Sequence, residues 1–155
     1  MVATALFCPI RKEWIKANPE EQVRQKLIQV MTVHLGYPAS LIAVEKNLHH
    51  LLPHSVADKT TFPRRRSDLI CYSRDVHPNY PLYPLLLIEC KAIPLTSLAF
   101  QQVAGYNHYL KAPFIALANL TEIKVGWRKN EGYTFIDKLP SYKALIEGLS
   151  SSATP

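Results

Sequence analysis

Cysteine is scarce in this chain: Cys8, Cys71 and Cys90 are scattered, with no C-x-x-C spacing. Neither a disulfide framework nor a cysteine zinc site is supported, and a reducing, cytoplasmic compartment is the expectation. No apolar run approaches the roughly 18–20 residues that a membrane helix needs. The longest, 85–88 and its flanks, has strand length. The opening stretch 2–10 is apolar but has no basic n-region and no small-residue cleavage site, so neither a signal peptide nor a membrane partner is expected. Internal repeats and low-complexity segments are also missing. What is present is 155 residues, 48% hydrophobic and 10% aromatic, enough to pack one core. Lys and Arg number 18 against 12 Asp and Glu, a net charge of +6 that favours an anionic partner.

The pattern alternates helices and strands. Asn18-Pro19-Glu20-Glu21 offers a capping residue, Pro at the first helical position and two carboxylates where the helix dipole favours them. Val23, Leu27, Met31 and Leu35 continue at helical spacing until Gly36-Tyr37-Pro38. Strands are expected at 41–44, 67–72 and 85–91, separated by two long connections, 47–63 and 73–84. Apolar residues on both parities of 85–91 place that strand in the middle of its sheet. A helix is expected over 96–110, with Ala99, Val103, Tyr106 and Leu110 on one face, then strands at 114–118, 124–127 and an edge strand at 133–136. A last helix is expected over 141–149. The first three strands can form an antiparallel meander, and 85–118 reads as a right-handed parallel crossover. The fold class is α/β, a mixed β-sheet flanked by helices. One domain spans 1–149, and 150–155 is expected to fray as a disordered tail.

Candidate chemistry gathers on two of these strands. Asp68 follows Arg64-Arg65-Arg66 and Ser67, while Glu89 and Lys91 stand two apart on the central strand and so share a face. An intrastrand ion pair where the strand reaches solvent is one explanation. The other is a functional edge where two carboxylates and an ammonium converge. Such a set can hold Mg²⁺ by hard oxygen ligands and leave room for phosphate and water.

Asp68 with Glu89-Cys90-Lys91 resembles the core motif of the PD-(D/E)xK restriction-endonuclease-like nucleases. The closest similarity is to the nuclease domain at the N-terminus of the R (motor) subunit of type I restriction enzymes. Four blocks carry it in order: Pro19-Glu20-Glu21-Gln22-Val23-Arg24-Gln25, Arg65-Arg66-Ser67-Asp68-Leu69, Leu86-Leu87-Ile88-Glu89-Cys90-Lys91-Ala92 and Phe100-Gln101-Gln102-Val103-Ala104-Gly105-Tyr106. The resemblance implies a Mg²⁺-dependent DNA endonuclease, with Mn²⁺ able to substitute. It makes Asp68 and Glu89 metal ligands, with the Cys90 carbonyl a third and Glu21 completing the site. It makes Lys91 the residue that orients the attacking water, and gives Gln102 and Tyr106 the positioning of that lysine or of a DNA phosphate. Ser67 stands where the motif has Pro, and the chain contains no G-x-x-x-x-G-K-S/T, so no ATP-driven motor is expected within it.

Each residue has a plainer reading. Glu21 at the third helical position could close a capping box. Gln102 and Tyr106 could be a helix surface and a core aromatic. Arg64, Arg65 and Arg66 could be a solvated charge run, although their place before Asp68 favours phosphate contacts. His49, His50 and His54 read as a solvated loop rather than a zinc site. Trp14 and Trp127 read as packing residues. The alternative function is a non-cleaving nucleic-acid-binding or assembly module of the same fold. Double-strand cutting would need two sites, hence a homodimer or two successive events; a larger restriction or repair complex is the other partner considered.

Overall fold

A computed structural model describes residues 4–47 and 66–150. A hairpin comes first: β1 (Ala5–Cys8) pairs antiparallel with β2 (Glu13–Lys16). Helix α1 (Pro19–Gln29) follows and passes into a wider π-helical turn, Val30–His34, closed by the Leu35 N–H on the Val30 carbonyl. The main sheet holds β3 (Ile42–Asn47), β4 (Arg66–His77), β5 (Tyr80–Cys90), β6 (Phe114–Ala118), β7 (Ile123–Lys129) and β8 (Gly132–Ile136) in sequence order. Among the described strands only the β5–β6 pair is parallel, bridged by α2 (Ser97–Leu110). Helix α3 (Tyr142–Ser150) ends the described chain. This mixed α/β architecture is consistent with the restriction-endonuclease-like fold.

Register explains why the sheet is apolar on both sides. Val44, Leu69, Ile88, Ala116, Val125 and Ile136 form one continuous cross-strand row through all six strands. That row faces a core completed by Val23, Ile28 and Met31 of the first helical segment, Leu145 of α3 and Cys8 of the hairpin. One residue along, Ile70, Leu87 and Ile115 point the other way, against Phe100, Val103 and Leu110 of α2. One residue the other way from the Ile88 row, Glu89 is in register with Leu117, and Leu117 with Lys124, so charge enters the rows at that end of the sheet.

Four expectations are corrected. The connection 73–84 is not a loop but the far half of a long β4–β5 hairpin. Its prolines are tolerated because β6 begins opposite Leu86, so Pro81 and Pro84 lie where β5 has no second neighbour to receive an N–H. Hairpin β1–β2 was not anticipated, because its strands are short and only Cys8 in them is fully buried. Trp14, expected to be packed, is 71% exposed and meets Phe7 edge-to-face at 5.6 Å, whereas Trp127 is buried. The inward face of α2 is centred on Phe100, Val103, Asn107 and Leu110, with Ala99 and Tyr106 half-buried at its border rather than at its middle. Asn107 is buried because its amide closes the helix end on Ala112, with bonds of 2.8 and 2.7 Å. Ser150 belongs to α3, while 151–155 and the three histidines of the 47–63 connection lie outside the described residues.

Leu86→Ala, at a fully buried position in the central strand, is expected to cost about 2–5 kcal/mol in urea unfolding. Leu82→Ala, half-exposed on the outlying hairpin arm, should stay within about 0.5 kcal/mol. Similar losses at both would mean that the hairpin arm belongs to the core.

Candidate functional site

The site forms where the β4–β5 ladder stops. The last regular pair at this end is Leu69 with Ile88, and continuing the count sets Asp68 opposite Glu89. The Asp68 carboxylate then takes a place in the backbone's hydrogen bonding: its Oδ2 accepts the Cys90 N–H at 2.7 Å. Asp68 is therefore fastened to the middle of Glu89-Cys90-Lys91. Lys91, half-buried just past β5, donates its own N–H to the Ala118 carbonyl at 2.8 Å, so β6 fixes its backbone. A cleft of about 300 Å³ opens beside it, lined also by Pro19, Val23, Ile93 and Leu120. Glu89 is only 3% exposed, so the strand does not reach solvent at this carboxylate. Cys90 is buried against the first core, and burial, reinforced by the Asp68 charge, pushes its thiol well up. A buried thiol shifted in that direction is a poor nucleophile.

Helix α1 brings a second charged layer to Asp68. Arg24 is 4% exposed, and its Nη2 donates to Asp68 Oδ1 at 2.7 Å while its Nη1 donates to Glu21 Oε1 at 2.8 Å. Arg11, in the turn of hairpin β1–β2, donates to Glu21 Oε1 at 2.7 Å and to Glu45 Oε2 at 3.2 Å. Glu45 also approaches Arg24, at 3.4 Å. It stands opposite Asp68 with a left-handed backbone, φ 52°, a conformation uncommon for a residue with a side chain. Two arginines thus face three carboxylates at the end of the sheet. The buried Nε–H groups of Arg11 and Arg24 find no acceptor among the described residues.

The Glu21 carboxylate is engaged by arginines rather than by the helix cap. Asn18 does cap the helix, accepting the Glu21 N–H at 2.8 Å, but the glutamate does not complete a capping box. Its carboxylate is taken up by Arg11, Arg24 and Gln25, the last at 3.1 Å. Sequence reasoning missed Arg11, Arg24 and Glu45. Arg24 at helical spacing from Glu21 was the available signal; the contributions of Arg11 and Glu45 depend on tertiary approach alone.

Gln102 is exposed and Tyr106 half-buried on α2, four residues apart, on the side of the sheet opposite α1. Arg66 enters β4 paired with Asn47, whereas Arg64 and Arg65 lie outside the described residues. Among the described residues, no three His, Cys, Asp or Glu side chains gather as a metal-binding group.

Compared with known families, residues 19–140 match the model described as type I restriction enzyme R protein N terminus (HSDR_N). The chain belongs to that family. No curated protein and no solved structure matches it. The matched span of this R-protein N-terminal domain holds Glu21, Arg24, Asp68, Glu89, Cys90 and Lys91, while hairpin β1–β2 with Arg11 precedes it. Among the described residues, no helix is long and apolar enough to cross a membrane.

The ion pairs have a pH signature. Burial raises the Glu21 pKa, but the Arg11 and Gln25 hydrogen bonds and the charges of Arg24 and Arg11 outweigh it, leaving it below the ordinary 4.5. The unfolded chain therefore binds the proton more readily. The stability Glu21 contributes is complete above about pH 4.5 and drains away as pH falls toward the folded-state value. Glu21→Gln should be less stable than wild type at neutral pH, with the gap closing in acid. Urea unfolding of both proteins from about pH 7 down to pH 3 measures this. A constant gap would mean that the charge is not what Glu21 contributes.

Proposed function

We propose that this chain is a metal-dependent DNA endonuclease of the restriction-endonuclease-like class, acting within or alongside a type I restriction assembly. The observation that carries the reading is the 2.7 Å bond from the Cys90 N–H to Asp68, which ties the lone aspartate to the Glu-x-Lys segment in a chain of the R-protein N-terminal family. Asp68, Glu89 and the Cys90 carbonyl are hard oxygen donors of the kind Mg²⁺ prefers. With so few protein ligands, the coordination would be completed by waters and phosphate oxygens, as is usual for this ion. Bound there, Mg²⁺ would polarise the scissile phosphate and lower the pKa of a water. Mn²⁺ offers the same ligand preference and would substitute.

The remaining work falls to the protein. Lys91 orients the attacking water and offsets charge growing on the phosphate. Gln102 and Tyr106 hold the lysine or an adjacent phosphate. Arg64, Arg65 and Arg66, leading into the Asp68 strand, grip the flanking backbone through phosphate forks. Water adds across the P–O bond, leaving a 5′-phosphate and a 3′-hydroxyl as the resemblance implies. Glu21 takes part through the arginines it holds rather than as a direct ligand. One observation favours the alternative of a non-cleaving binding or assembly module: Arg24 already claims Asp68 Oδ1, so the carboxylate is not fully available to an ion.

Cleavage of supercoiled plasmid with and without Mg²⁺ separates the two. Lys91→Ala should abolish cutting while leaving fold and most DNA affinity intact, and Lys91→Arg should cut poorly because a fork replaces a point charge. Glu89→Gln should behave likewise. Asp68→Asn is a better variant than Asp68→Ala, since the amide oxygen still accepts the Cys90 N–H. Wild-type rates from Lys91→Ala would refute the mechanism, and no cutting by wild type with either metal would favour the binding module.

DNA retention is tested separately with Ca²⁺ in place of Mg²⁺. Neutralising two of the three arginines should reduce the slope of log K against log salt by about two units, at about 0.9 per lost phosphate contact, equally on two unrelated duplexes. An unchanged slope would make them a solvated charge run.

A further inference from the structure

We infer that Arg24 is a positioning residue for Asp68, fixing the direction in which that carboxylate presents its remaining lone pairs. Both oxygens are claimed from opposite sides: Oδ1 by Arg24 Nη2 and Oδ2 by the Cys90 N–H, each at 2.7 Å. A carboxylate held at one oxygen can turn about its Cβ–Cγ bond; one held at both cannot. Arg24 is itself pinned, because its other Nη donates to Glu21, which Arg11 grips from the hairpin turn. The order of contacts is hairpin, Glu21, Arg24, Asp68, Cys90, and it carries rigidity from the first core to the end of the central strand. A planar fork suits this place: one guanidinium spans two carboxylates on different elements, which a single ammonium on a flexible stem would not do with the same geometry. The consequence for metal binding rests on the nuclease reading, while the positioning itself does not.

The experiment uses the full chain, labelled with ¹⁵N, as wild type, Arg24→Lys and Arg24→Gln. Amide hydrogen exchange at Cys90 reports the Asp68 bond, with Leu86 and Ile88 as internal controls on the same strand. Loss of positioning should speed exchange at Cys90 by about tenfold or more, as expected for a weakened hydrogen bond to a charged acceptor, and leave the controls unchanged. Mn²⁺ affinity measured by calorimetry should fall by about 10–100-fold, as when a metal ligand loses its outer support. In a fourth protein, Arg24→Ala, added ethylguanidinium should restore part of the Cys90 protection. Arg24→Lys keeps the charge and serves if Arg24→Gln does not fold. Unchanged Cys90 exchange in folded Arg24→Lys would overturn the inference, as would equal acceleration at all three amides. If wild type bound no Mn²⁺, the nuclease reading would fall, and Cys90 exchange would still decide the role of Arg24.

Discussion

The guanidinium of Arg24 lies between two carboxylates from separate elements, Glu21 on its own helix and Asp68 on β4. Burying a charge is costly unless it is paired and hydrogen-bonded, and here each member satisfies the next. Removing one partner from such a set typically costs about 3–5 kcal/mol, because it strands the others away from water. The arrangement is therefore a constraint on the whole end of the sheet: α1, the hairpin and β4 must approach in one way for the charges to match. A hydrophobic replacement of similar volume would serve packing as well, so the network is better understood as fixing geometry than as adding stability.

The sheet makes that geometry useful. Six strands with apolar rows on both faces form a stiff plate, and its central strand runs out at Glu89 and Cys90. Asp68 enters at the same level from the antiparallel neighbour, and its carboxylate is tied to the Cys90 N–H beside Glu89. The parallel neighbour β6 then holds Lys91 through its backbone. Two carboxylates and an ammonium are thus carried at strand ends rather than on a long loop, a placement that holds side chains with tight tolerance.

The sequence was most legible where periodicity and burial agreed. Val23, Leu27 and Met31 marked α1 and the π-helical turn that continues it, Leu85 to Ile88 marked a strand apolar on both parities, and Thr96 and Leu110 bracketed α2 almost to the residue. The β4–β5 arm was obscured because proline argues against a strand, and only the absence of β6 beside Pro81 and Pro84 removes the objection. The outward face of β1–β2 carries Phe7 and Trp14, so composition suggested a core where the structure has surface. At the site, Asp68, Glu89 and Lys91 stood out as charges interrupting apolar strands. Arg11 and Glu45 did not, because they are separated by 34 residues and meet only after the sheet has formed. The engagement of Glu21 was hidden for a related reason: its local neighbours suggested a capping box, and tertiary arginines won the carboxylate.

The central claim is that Asp68 and Glu89 together hold a divalent ion. Crystals grown with Mn²⁺ test it most directly, through the anomalous scattering of the metal. The account predicts a peak about 2.1 Å from an oxygen of each carboxylate, with Arg24 still paired to the Glu21 side of the network. Fully occupied Mn²⁺ elsewhere on the protein, with none between Asp68 and Glu89, would contradict it.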